Sequence, residues 1–405
     1  MSILEGKRIL LGVSGSIAAY KAAEIASRLT QEGAQVITVL SPAAEKFITP
    51  LTFRSLTDQP AYTDADLWGS EGHILHVGLG RESELMLIAP CSANTLAALA
   101  HGSAEHLLTL TALTLKCPLA VAPAMDGGMF EHAATQQNVQ TLRERGIFVL
   151  GPTFGRLASG QVGLGRMLEP LEIVGHVRRI LGLKGPLAGR KVVVTSGGTQ
   201  EPIDPVRVLT NRSSGKQGYA LAQAAIDLGA DTVLISTPTA LMPPVGARLV
   251  NVQTAEEMRR AVLQEVQDAD VLLMAAAVAD FRPRHTAAQK IKKQAGLTRL
   301  ELEPTADILA EVAAQRQRIR RPFLTVGFAA ESQELLENAT QKLQSKDLDL
   351  IAANDITAQD AGFGVDTNRV TLIYRNGTRE ALPLMSKMQV AEAILSRIVG
   401  LLMAP

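Results

Sequence analysis

The sequence predicts an α/β protein built of two doubly wound, mostly parallel-sheet, Rossmann-like domains. First, short apolar or β-branched runs alternate with helical patterns along the chain, as in parallel sheets covered by helices on both faces. Second, 405 residues exceed what one hydrophobic core usually holds. Third, a Gly- and Pro-containing segment, residues 181–191, separates an amphipathic helix from a new strand. We therefore expect domains at 1–185 and 186–405.

Composition limits the classes of partner. Lys plus Arg and Asp plus Glu are both 40, so no net basic field points to nucleic acid or a membrane surface. Any anion site must therefore be local. The only cysteines, Cys91 and Cys117, support neither a disulfide framework nor a metal cluster, which favours a reducing cytoplasm. The charged N-terminal segment is not typical of a signal peptide, and no unbroken apolar run reaches the ~20 residues of a membrane span.

The first strand, predicted over residues 8–13, leads into the glycine turn GVSGS at a helix N-terminus. Free N–H groups there suit a phosphate, although such turns also simply connect elements. A dinucleotide site would also need an acid after strand two for the ribose hydroxyls. The second strand ends instead at Leu40-Ser41-Pro42. The missing acid favours a mononucleotide such as FMN over NAD.

Three further motifs lie at the carboxyl ends of predicted strands of the first half: EGHILHV with His73 and His76, APCSANT, and APAMDGGM. Taken singly, a histidine is more often a surface or core residue, and a methionine is more often a core filler. Together with the glycine-rich start, these motifs resemble the flavin-dependent cysteine decarboxylases, which carry a His, a PASANT run and a PxMNxxM run. The run GRLASGQVGLGRM, residues 155–167, resembles that family's substrate-covering flap. The resemblance extends over residues 6–180.

This resemblance implies a flavodoxin-like flavoprotein domain with catalytic residues His73, Asp126 and Ser159. In the family an Asn grips the substrate carboxylate and a flap Cys donates a proton, but Asp126 and Ser159 stand at these positions here. We expect the two to work as a pair, with Asp126 binding as a neutral acid and supplying the proton through Ser159 or a water. The implied FMN contacts are Gly12, Ser14, Gly15, Ser16, Ser41, Ser92, Ala93, Asn94 and Thr95.

The second half is organised around residues 196–225, SGGTQEPIDPVRVLTNRSSGKQGYALAQAA. The strand KVVVT precedes it, and the connection to the next helix is far longer than a plain strand-to-helix turn. Its polar residues follow the carboxyl end of a strand, and Ser213-Ser214-Gly215 opens a helix whose N–H groups attract anions. The run is not a Walker A loop, because Thr210 and Gln217 occupy positions that need Gly and Ser or Thr.

This run resembles the signature of the phosphopantothenate–cysteine ligases, GGTxEPIDPVRxxxNxSSGKxG. The resemblance implies a ligase domain that uses CTP and Mg²⁺ to form an acyl-CMP intermediate, with Asn211 and the flap residue Lys290 as catalytic residues. A run such as KIKK is otherwise usually a solvated face. Asp280 is the candidate metal ligand, with a helix cap as the alternative. The implied CTP contacts are Ala276, Asp280, Lys290, Asp307, Ile308, Phe328, Lys342 and Lys346.

Both resemblances together imply a bifunctional enzyme of coenzyme A biosynthesis. It would join cysteine to 4'-phosphopantothenate and then decarboxylate the product to 4'-phosphopantetheine. Two alternatives stay open: a ligase whose flavin-binding half is an inert scaffold, and a non-enzymatic nucleotide-binding regulator. The resemblance further implies small-molecule substrates, no nucleic acid or membrane partner, and a homo-oligomer with trimeric flavin-domain and dimeric ligase-domain contacts.

Overall fold

The computed structural model describes residues 2–68, 72–292, 299–331, 334–355 and 364–403, without the side chains of residues 72, 73, 330, 331 and 355. The chain forms two compact units, residues 1–181 and 182–405. Both are α/β with mostly parallel central sheets, which confirms the predicted fold class. The division lies a few residues before the predicted boundary at residue 185.

The first unit is built on six parallel strands: β1 Arg8–Val13, β2 Gln35–Leu40, β3 Ala61–Tyr62, β4 Leu85–Cys91, β5 Leu119–Pro123 and β6 Phe148–Val149. Their order is β3-β2-β1-β4-β5-β6. Apart from the two-residue edge strand β3, this is the flavodoxin-like order, in which ligands bind where the strand order reverses. That point lies between β1 and β4. A separate antiparallel hairpin consists of β7 Thr153–Arg156 and β8 Val162–Arg166.

Helices cover both faces of this sheet because alternate residues of the buried strands point to opposite sides. In β1, Ile9 and Leu11 belong to one core cluster and Leu10 to the other. The helices are α1 Ala19–Gln31, α2 Pro50–Thr57, α3 Gly72–Glu82, α4 Ala93–His101, α5 Leu107–Leu113, α6 Gly127–Glu131, α7 Ala133–Glu144 and α8 Pro170–Gly182. The cores therefore form a helix–sheet–helix sandwich.

The second unit has an eight-stranded sheet in the order β13-β12-β9-β14-β17-β18-β20-β21. Only β20 and β21 run antiparallel to their neighbours. The strands of this unit are β9 Lys191–Ser196, β10 Gln200–Pro202, β11 Val208–Thr210, β12 Asp231–Ser236, β13 Arg248–Asn251, β14 Val271–Met274, β15 Phe281–Pro283, β16 Leu302–Pro304, β17 Leu324–Glu331, β18 Leu350–Asp355, β19 Thr367–Asn368, β20 Val370–Tyr374, β21 Arg379–Ala381 and β22 Met385–Ser386.

Two layers of helices cover this sheet as well. Val192 and Val194 of β9 pack with α9 Lys216–Asp227 and α13 Lys387–Met403, whereas Val193 faces the other layer. That layer consists of α10 Ala255–Glu265, α11 Ile308–Ile319 and α12 Leu335–Ser345. Short antiparallel hairpins, β10–β11 and β15–β16, lie outside the main sheet. None of the helices in the described ranges is both long and apolar enough to cross a bilayer.

Candidate active sites

The first candidate site lies where the loops after β1, β2 and β4 meet. Ser14, which follows β1, is almost fully buried, and its Oγ donates to the carbonyl oxygen of Pro90 at 2.9 Å. The same Oγ accepts a hydrogen bond from the backbone N–H of Ser92 at 2.8 Å. One hydroxyl thereby joins the two loops that flank the reversal of strand order. The backbone N–H of Ser41, after β2, donates to the carbonyl oxygen of Val13 at 3.0 Å.

Two glycines permit this packing for different reasons. A Cβ on Gly15 would lie 2.5 Å from the Cβ of Ala43, so any side chain would separate the β1 and β2 loops. Gly12 is buried within β1, where a Cβ would lie 2.5 Å from Leu108 Cδ1. The structure thus gives Gly12 a packing role, whereas Gly15 lies in the loop itself.

The remaining predicted FMN contacts lie at the start of helices. Ser92 caps α4, with its Oγ accepting from the N–H of Thr95 at 3.3 Å, and Ala93 and Asn94 form the first turn beside it. Ser16 Oγ accepts from the N–H of Ala18, just before α1. Hydroxyls and helix N-termini are donors that suit a phosphate, and none of the predicted contacts is a carboxylate that would repel it. The residues therefore fit the phosphate of a flavin mononucleotide.

Asp126 and Ser159, which the sequence predicts to act together, are hydrogen-bonded. Ser159 Oγ donates to Asp126 Oδ2 at 2.7 Å across 33 residues of chain. The other carboxylate oxygen caps α6 by accepting from the N–H of Gly128 at 3.2 Å. Asp126 is half-buried, and Ser159 is exposed at the tip of the β7–β8 hairpin. The flap and the loop after β5 therefore meet at this pair.

Backbone contacts hold the flap hairpin against the same loop. The N–H of Met125 donates to the carbonyl oxygen of Gly165 at 3.1 Å, and a Cβ on Gly165 would lie 2.3 Å from the carbonyl oxygen of Met125. Lys21 of α1, which sequence reasoning missed, is buried and donates to the carbonyl oxygen of Met167 and to Glu169 Oε1 at 3.3 and 3.1 Å. A lysine at an inward position of an amphipathic helix was the signal that could have identified it.

The placement of EGHILHV at the end of a strand is wrong, because His73 lies at the start of α3 and a 3₁₀ turn, Asp64–Trp68, separates that helix from β3. The side chain of His73 is outside the described residues, so its predicted catalytic role stays a prediction. His76, one turn later, is described. Its backbone carbonyl oxygen accepts from Thr114 Oγ1 at 2.9 Å, which ties α3 to the end of α5.

The second candidate site is a cleft of about 990 Å³ at the carboxyl ends of the central strands of the second unit. It brings together most of the predicted nucleotide contacts with Asn211, although these residues come from distant parts of the chain. Lys290 is not among the lining residues. The predicted residues that line the cleft are Asn211, Ala276, Asp280, Asp307, Ile308, Phe328, Lys342 and Lys346.

Close backbone packing forms one wall of this cleft. Gly215 has φ +76° and precedes α9, and its carbonyl oxygen accepts from the buried Ser196 Oγ at 2.9 Å. A Cβ on Gly218 would lie 2.6 Å from Ser196 Oγ, so α9 can approach β9 only with glycine there. The N-terminus of α9, with its unpaired N–H groups, is thereby held at the end of the sheet.

Asn211 is held by two carbonyl groups of the opposite wall. Its Nδ2 donates to the carbonyl oxygens of Ala277 and Val278, each at 3.3 Å. Thr199 Oγ1 accepts from the N–H of Ala279 at 2.9 Å, which fixes the same loop against the residues after β9. Since the amide nitrogen faces these carbonyl groups, the amide oxygen of Asn211 is available as an acceptor toward the cleft.

The predicted phosphate-binding lysines of the cleft have protein partners. Lys342 Nζ donates to the carbonyl oxygen of Phe328 at 2.9 Å, and Lys346 pairs with Asp307 Oδ2. Asp307 also caps α11 by accepting from the N–H of Ala310. Burial alone raises the pKa of Asp307, but the hydrogen bonds from Lys346 and Ala310 outweigh it and lower the pKa. A nucleotide would compete with these partners for the two ammonium groups.

A second basic cluster in the cleft joins Lys216, one of the polar residues predicted at this end of the sheet, to Lys387, which the sequence analysis missed. Lys216 Nζ lies 2.6 Å from Asp366 Oδ1, and this hydrogen bond lowers the pKa of Asp366. Lys387, at the start of α13, is buried beside them. Burial and then the nearby Lys216 ammonium lower the pKa of Lys387, against the opposite effect of Asp366. Lys387 lies outside the motifs considered, and only the proximity of α13 to α9 brings it into the site.

Asp280 lines the cleft and is exposed, in the segment between β14 and β15. The alternative that Asp280 caps a helix is wrong, because β15 rather than a helix follows it. Within the described ranges, no group of three or more His, Cys, Asp or Glu side chains could hold a metal ion. A single carboxylate fits Mg²⁺ only if substrate phosphates supply further ligands, which is the usual arrangement for this ion.

Lys290 is exposed and belongs to a segment tied to the β10–β11 hairpin. The backbone N–H of Ile291 donates to Asp204 Oδ2 at 3.1 Å, and the N–H of Ala287 donates to the carbonyl oxygen of Ile203 at 3.0 Å. The predicted flap residue is therefore attached to this hairpin and is not among the residues that line the cleft. The following flap residue Lys293 lies outside the described residues.

Comparison with known proteins covers both units. The Flavoprotein family matches residues 2–182, and the DNA/pantothenate metabolism flavoprotein C-terminal domain matches residues 187–402. The chain is 44% identical over 400 residues to the coenzyme A biosynthesis bifunctional protein CoaBC of Vibrio cholerae, covering 98% of this chain and 99% of that one. It is 42% identical over 402 residues to CoaBC of Bacillus subtilis, covering 98% of each chain. CoaBC of Mycobacterium tuberculosis is 43% identical over 408 residues, covering 98% of this chain and 97% of that one.

Proposed function

The chain belongs to the family of bifunctional coenzyme A biosynthesis proteins, and from this membership we propose how its two units divide the work. The protein is an enzyme with a ligase and a decarboxylase activity. The second unit joins cysteine to 4'-phosphopantothenate with CTP, and the first unit decarboxylates the product to 4'-phosphopantetheine. Family membership argues against the alternative of a non-enzymatic regulator.

One observation carries the ligase assignment. A single cleft contains Asn211, Asp280, the N-terminus of α9 and the basic residues Lys216, Lys342 and Lys346. Positive groups and helix N–H groups suit a triphosphate, and Phe328 offers an aromatic ring for a base. The cleft therefore supports binding of a nucleoside triphosphate beside an acid substrate.

The first half-reaction activates the carboxylate of 4'-phosphopantothenate, which by itself resists attack by an amine. A carboxylate oxygen attacks the α-phosphorus of CTP, the new P–O bond gives an acyl-CMP anhydride, and pyrophosphate leaves. Lysines that spread the charge of the triphosphate stabilise this step. Asp280 would hold Mg²⁺ together with the phosphates, where the ion supplies further charge neutralisation.

The second half-reaction forms the amide. The cysteine amine attacks the carbonyl carbon of the acyl-CMP, the bond from that carbon to the CMP oxygen breaks, and the amine loses a proton. Lys290 on the flap acts in this step by covering the intermediate. Asn211, whose amide orientation is set by Ala277 and Val278, positions the acid for the first step.

Changing Asn211 to Asp tests the ligase proposal. Aspartate cannot donate to the two carbonyl oxygens that hold Asn211, and it adds a negative charge beside the triphosphate. We expect pyrophosphate release from CTP and 4'-phosphopantothenate, measured without cysteine, to fall by roughly 30- to 160-fold, as the loss of about 2–3 kcal/mol implies.

The matched control is Asn376→Asp, the same substitution in a surface turn, where only an acceptor oxygen is used. This control should release pyrophosphate at the wild-type rate. Wild-type release by the Asn211→Asp variant would remove Asn211 from the mechanism, and a wild-type enzyme that releases no pyrophosphate with CTP would refute the ligase assignment itself.

In the first unit, Ser16, Ser41 and the N-terminus of α4 would hold the phosphate of FMN, while the buried Ser14 hydroxyl joins the loops that carry them. When bound, the flavin supplies the two-electron oxidation of the substrate thiol and its later reversal, which make loss of CO₂ possible. Asp126 binds the substrate carboxylate through a hydrogen bond. Ser159 then carries the proton between Asp126 and the substrate carbon, because its hydroxyl already bonds that carboxyl group.

We also propose a cytoplasmic location and a homo-oligomer with trimeric contacts of the first unit and dimeric contacts of the second. Large apolar side chains are exposed on both units, among them Tyr20, Leu51, Val206 and Phe281. An interface between copies of the chain would cover such side chains. Light scattering of the purified protein would test the assembly.

A further inference from the structure

The turn of the β10–β11 hairpin contains a buried carboxylate that no part of the proposed chemistry uses. The side chain of Asp204 has no exposed surface, although it lies in a connection between two short strands. Its Oδ1 accepts from the N–H groups of Val206 and Arg207, both at 2.8 Å. These two bonds close the turn.

The second oxygen of Asp204 points away from the turn and holds the flap. Oδ2 accepts from the N–H of Ile291 at 3.1 Å and from Nη1 of Arg207 at 2.9 Å. The same Nη1 donates to the carbonyl oxygen of Ile291 at 3.2 Å. Both backbone groups of the residue next to Lys290 are therefore bound by the turn.

Further contacts attach the preceding part of the flap to the same hairpin. The N–H of Ala287 donates to the carbonyl oxygen of Ile203, and Thr286 Oγ1 donates to the carbonyl oxygen of Pro202, both at 3.0 Å. Residues 286–291 thus follow the position of the hairpin turn. The hairpin in turn leads directly into Asn211, which is bonded to the cleft wall.

A carboxylate is needed at this position because both of its oxygens face donors. An asparagine could still accept the two N–H groups of the turn, but its NH₂ group would face the N–H of Ile291 and the guanidinium of Arg207. Burial alone raises the pKa of Asp204, but the backbone hydrogen bonds from Val206, Ile291 and Arg207 outweigh it and lower the pKa. The group is therefore a charged acceptor in the folded protein.

We propose that Asp204 is a positioning residue of the ligase reaction, which sets the flap and its Lys290 relative to Asn211 for amide formation. This inference rests on the proposed ligase function. Asp204 touches no substrate in this arrangement. It acts through the backbone of Ile291. The hairpin thereby holds Asn211, which serves acyl-CMP formation, at its end and the flap, which serves amide formation, at its turn.

Asp204→Asn in the full-length protein tests the proposal. Pyrophosphate release without cysteine should stay within about threefold of wild type, because Asn211 and the cleft are unchanged. Amide formation should fall about tenfold or more in kcat, as loss of a charge-assisted hydrogen bond implies, with the KM for CTP unchanged. Acyl-CMP should accumulate and be visible by mass spectrometry, as we expect for Lys290→Gln.

A double variant with Lys290 shows whether Asp204 positions Lys290 or only stabilises the fold. Once Lys290 is lost, its placement no longer matters, so Asp204→Asn combined with Lys290→Gln should be no slower than Lys290→Gln alone. Additive losses in the double variant would overturn the proposal. Ile291→Pro removes the N–H that the flap donates to Asp204. It should reproduce the kinetics expected for Asp204→Asn, and it replaces Asp204→Asn in the test if the latter folds poorly.

Glu201 is the matched control, since it is a buried carboxylate on the same hairpin but accepts from the N–H of Ala255 at 2.8 Å and not from the flap. Glu201→Gln should lower the melting temperature without accumulating acyl-CMP. The proposal is wrong if Glu201→Gln and Asp204→Asn share one kinetic profile, or if Asp204→Asn forms amide at the wild-type rate. A wild-type enzyme without pyrophosphate release would instead refute the ligase function, so the two failures are distinguishable.

Discussion

At the scale of single residues, the Asp126–Ser159 hydrogen bond matters most for the decarboxylase half. The sequence shows both as departures from a family pattern, and unrelated losses would have no reason to be in contact. The structure places the Ser159 hydroxyl 2.7 Å from Asp126 Oδ2. The pair is therefore placed both to bind the substrate carboxylate and to deliver the proton that the product needs.

The pair predicts which substitutions stop decarboxylation. Asp126→Ala should abolish CO₂ release from phosphopantothenoylcysteine, because it removes the carboxyl group to which Ser159 is bonded. Ser159→Ala should slow reduction of the intermediate. The measurement is CO₂ release by the FMN-loaded protein.

Asp126→Asn is the informative control, because it restores the residue of the family pattern. It should retain CO₂ release, because its amide group can donate a hydrogen bond to the substrate carboxylate. A wild-type protein that binds FMN and releases no CO₂ at any pH would contradict the pairing and support the inert-scaffold alternative.

At the scale of elements, the β7–β8 hairpin depends on glycine where it meets the loop after β5. A Cβ at Gly165 would lie 2.3 Å from the carbonyl oxygen of Met125, a backbone atom that cannot move cheaply. A Cβ at Gly163, two residues away on the same strand, would lie 3.6 Å from Leu157 Cδ1, an ordinary contact. Comparing substitutions at Gly165 and Gly163 therefore distinguishes a requirement for close backbone packing from a general preference for glycine in this strand.

Gly165→Ala should displace the flap and break the hydrogen bond from Met125 to Gly165. We expect CO₂ release to fall about tenfold or more, with a loss of about 1–3 kcal/mol in the stability of the first unit. Amide formation by the second unit should be unchanged. Gly163→Ala should match wild type in both activities, and equal effects of the two substitutions would show that the close approach at Gly165 has no role.

At the scale of the whole molecule, the two units differ in how their stability depends on pH. Asp270 in the second unit is buried and accepts from Arg190 and Arg321 at 2.9 and 2.8 Å and from the N–H of Lys191 at 2.8 Å. Burial alone raises the pKa of Asp270, but these partners outweigh it and lower the pKa. The pKa values of Glu265 and Asp268 nearby are lowered as well.

A lowered pKa means that the folded state binds fewer protons than the unfolded state. The resulting stabilisation is fully present above the unfolded value of about 4 and is lost as the pH falls through the lowered folded value. In calorimetric scans at decreasing pH, the unfolding temperature of the second unit should therefore begin to fall before that of the first unit. Asp270→Asn should lower the free energy of unfolding of the second unit at pH 7 by about 1–3 kcal/mol. It should also weaken the dependence of that free energy on pH in acid.

Glu169→Gln in the first unit provides the comparison. The Glu169 side chain is about half exposed, and although burial raises its pKa, Lys21 and Arg166 outweigh this and lower it. This substitution should leave the transition of the second unit unchanged. An Asp270→Asn protein with the wild-type dependence on acid would show that Asp270 does not set the stability of the second unit.

The sequence by itself determined the features that repeat locally along the chain. Alternating strands and helices predict the two parallel sheets, and a strand followed by a glycine-containing turn places Ser14 and Ser213–Gly215 at helix N-termini. The motif resemblances also selected Asn211, Asp280, Asp307 and Phe328, which the structure brings into one cleft. Such features depend on neighbours within a few residues, so they are visible without the fold.

Only the tertiary structure decided which distant groups meet. The bonds between Asn211 and Ala277 and between Asp204 and Ile291 join residues 66 and 87 positions apart, and Lys387 reaches the cleft because α13 packs against α9. The attachment of the Lys290 segment to the β10–β11 hairpin was likewise not evident from its motif. These contacts follow from the order of the strands in each sheet and from close packing at glycines. A local sequence pattern does not identify the distant partner of a side-chain hydrogen bond.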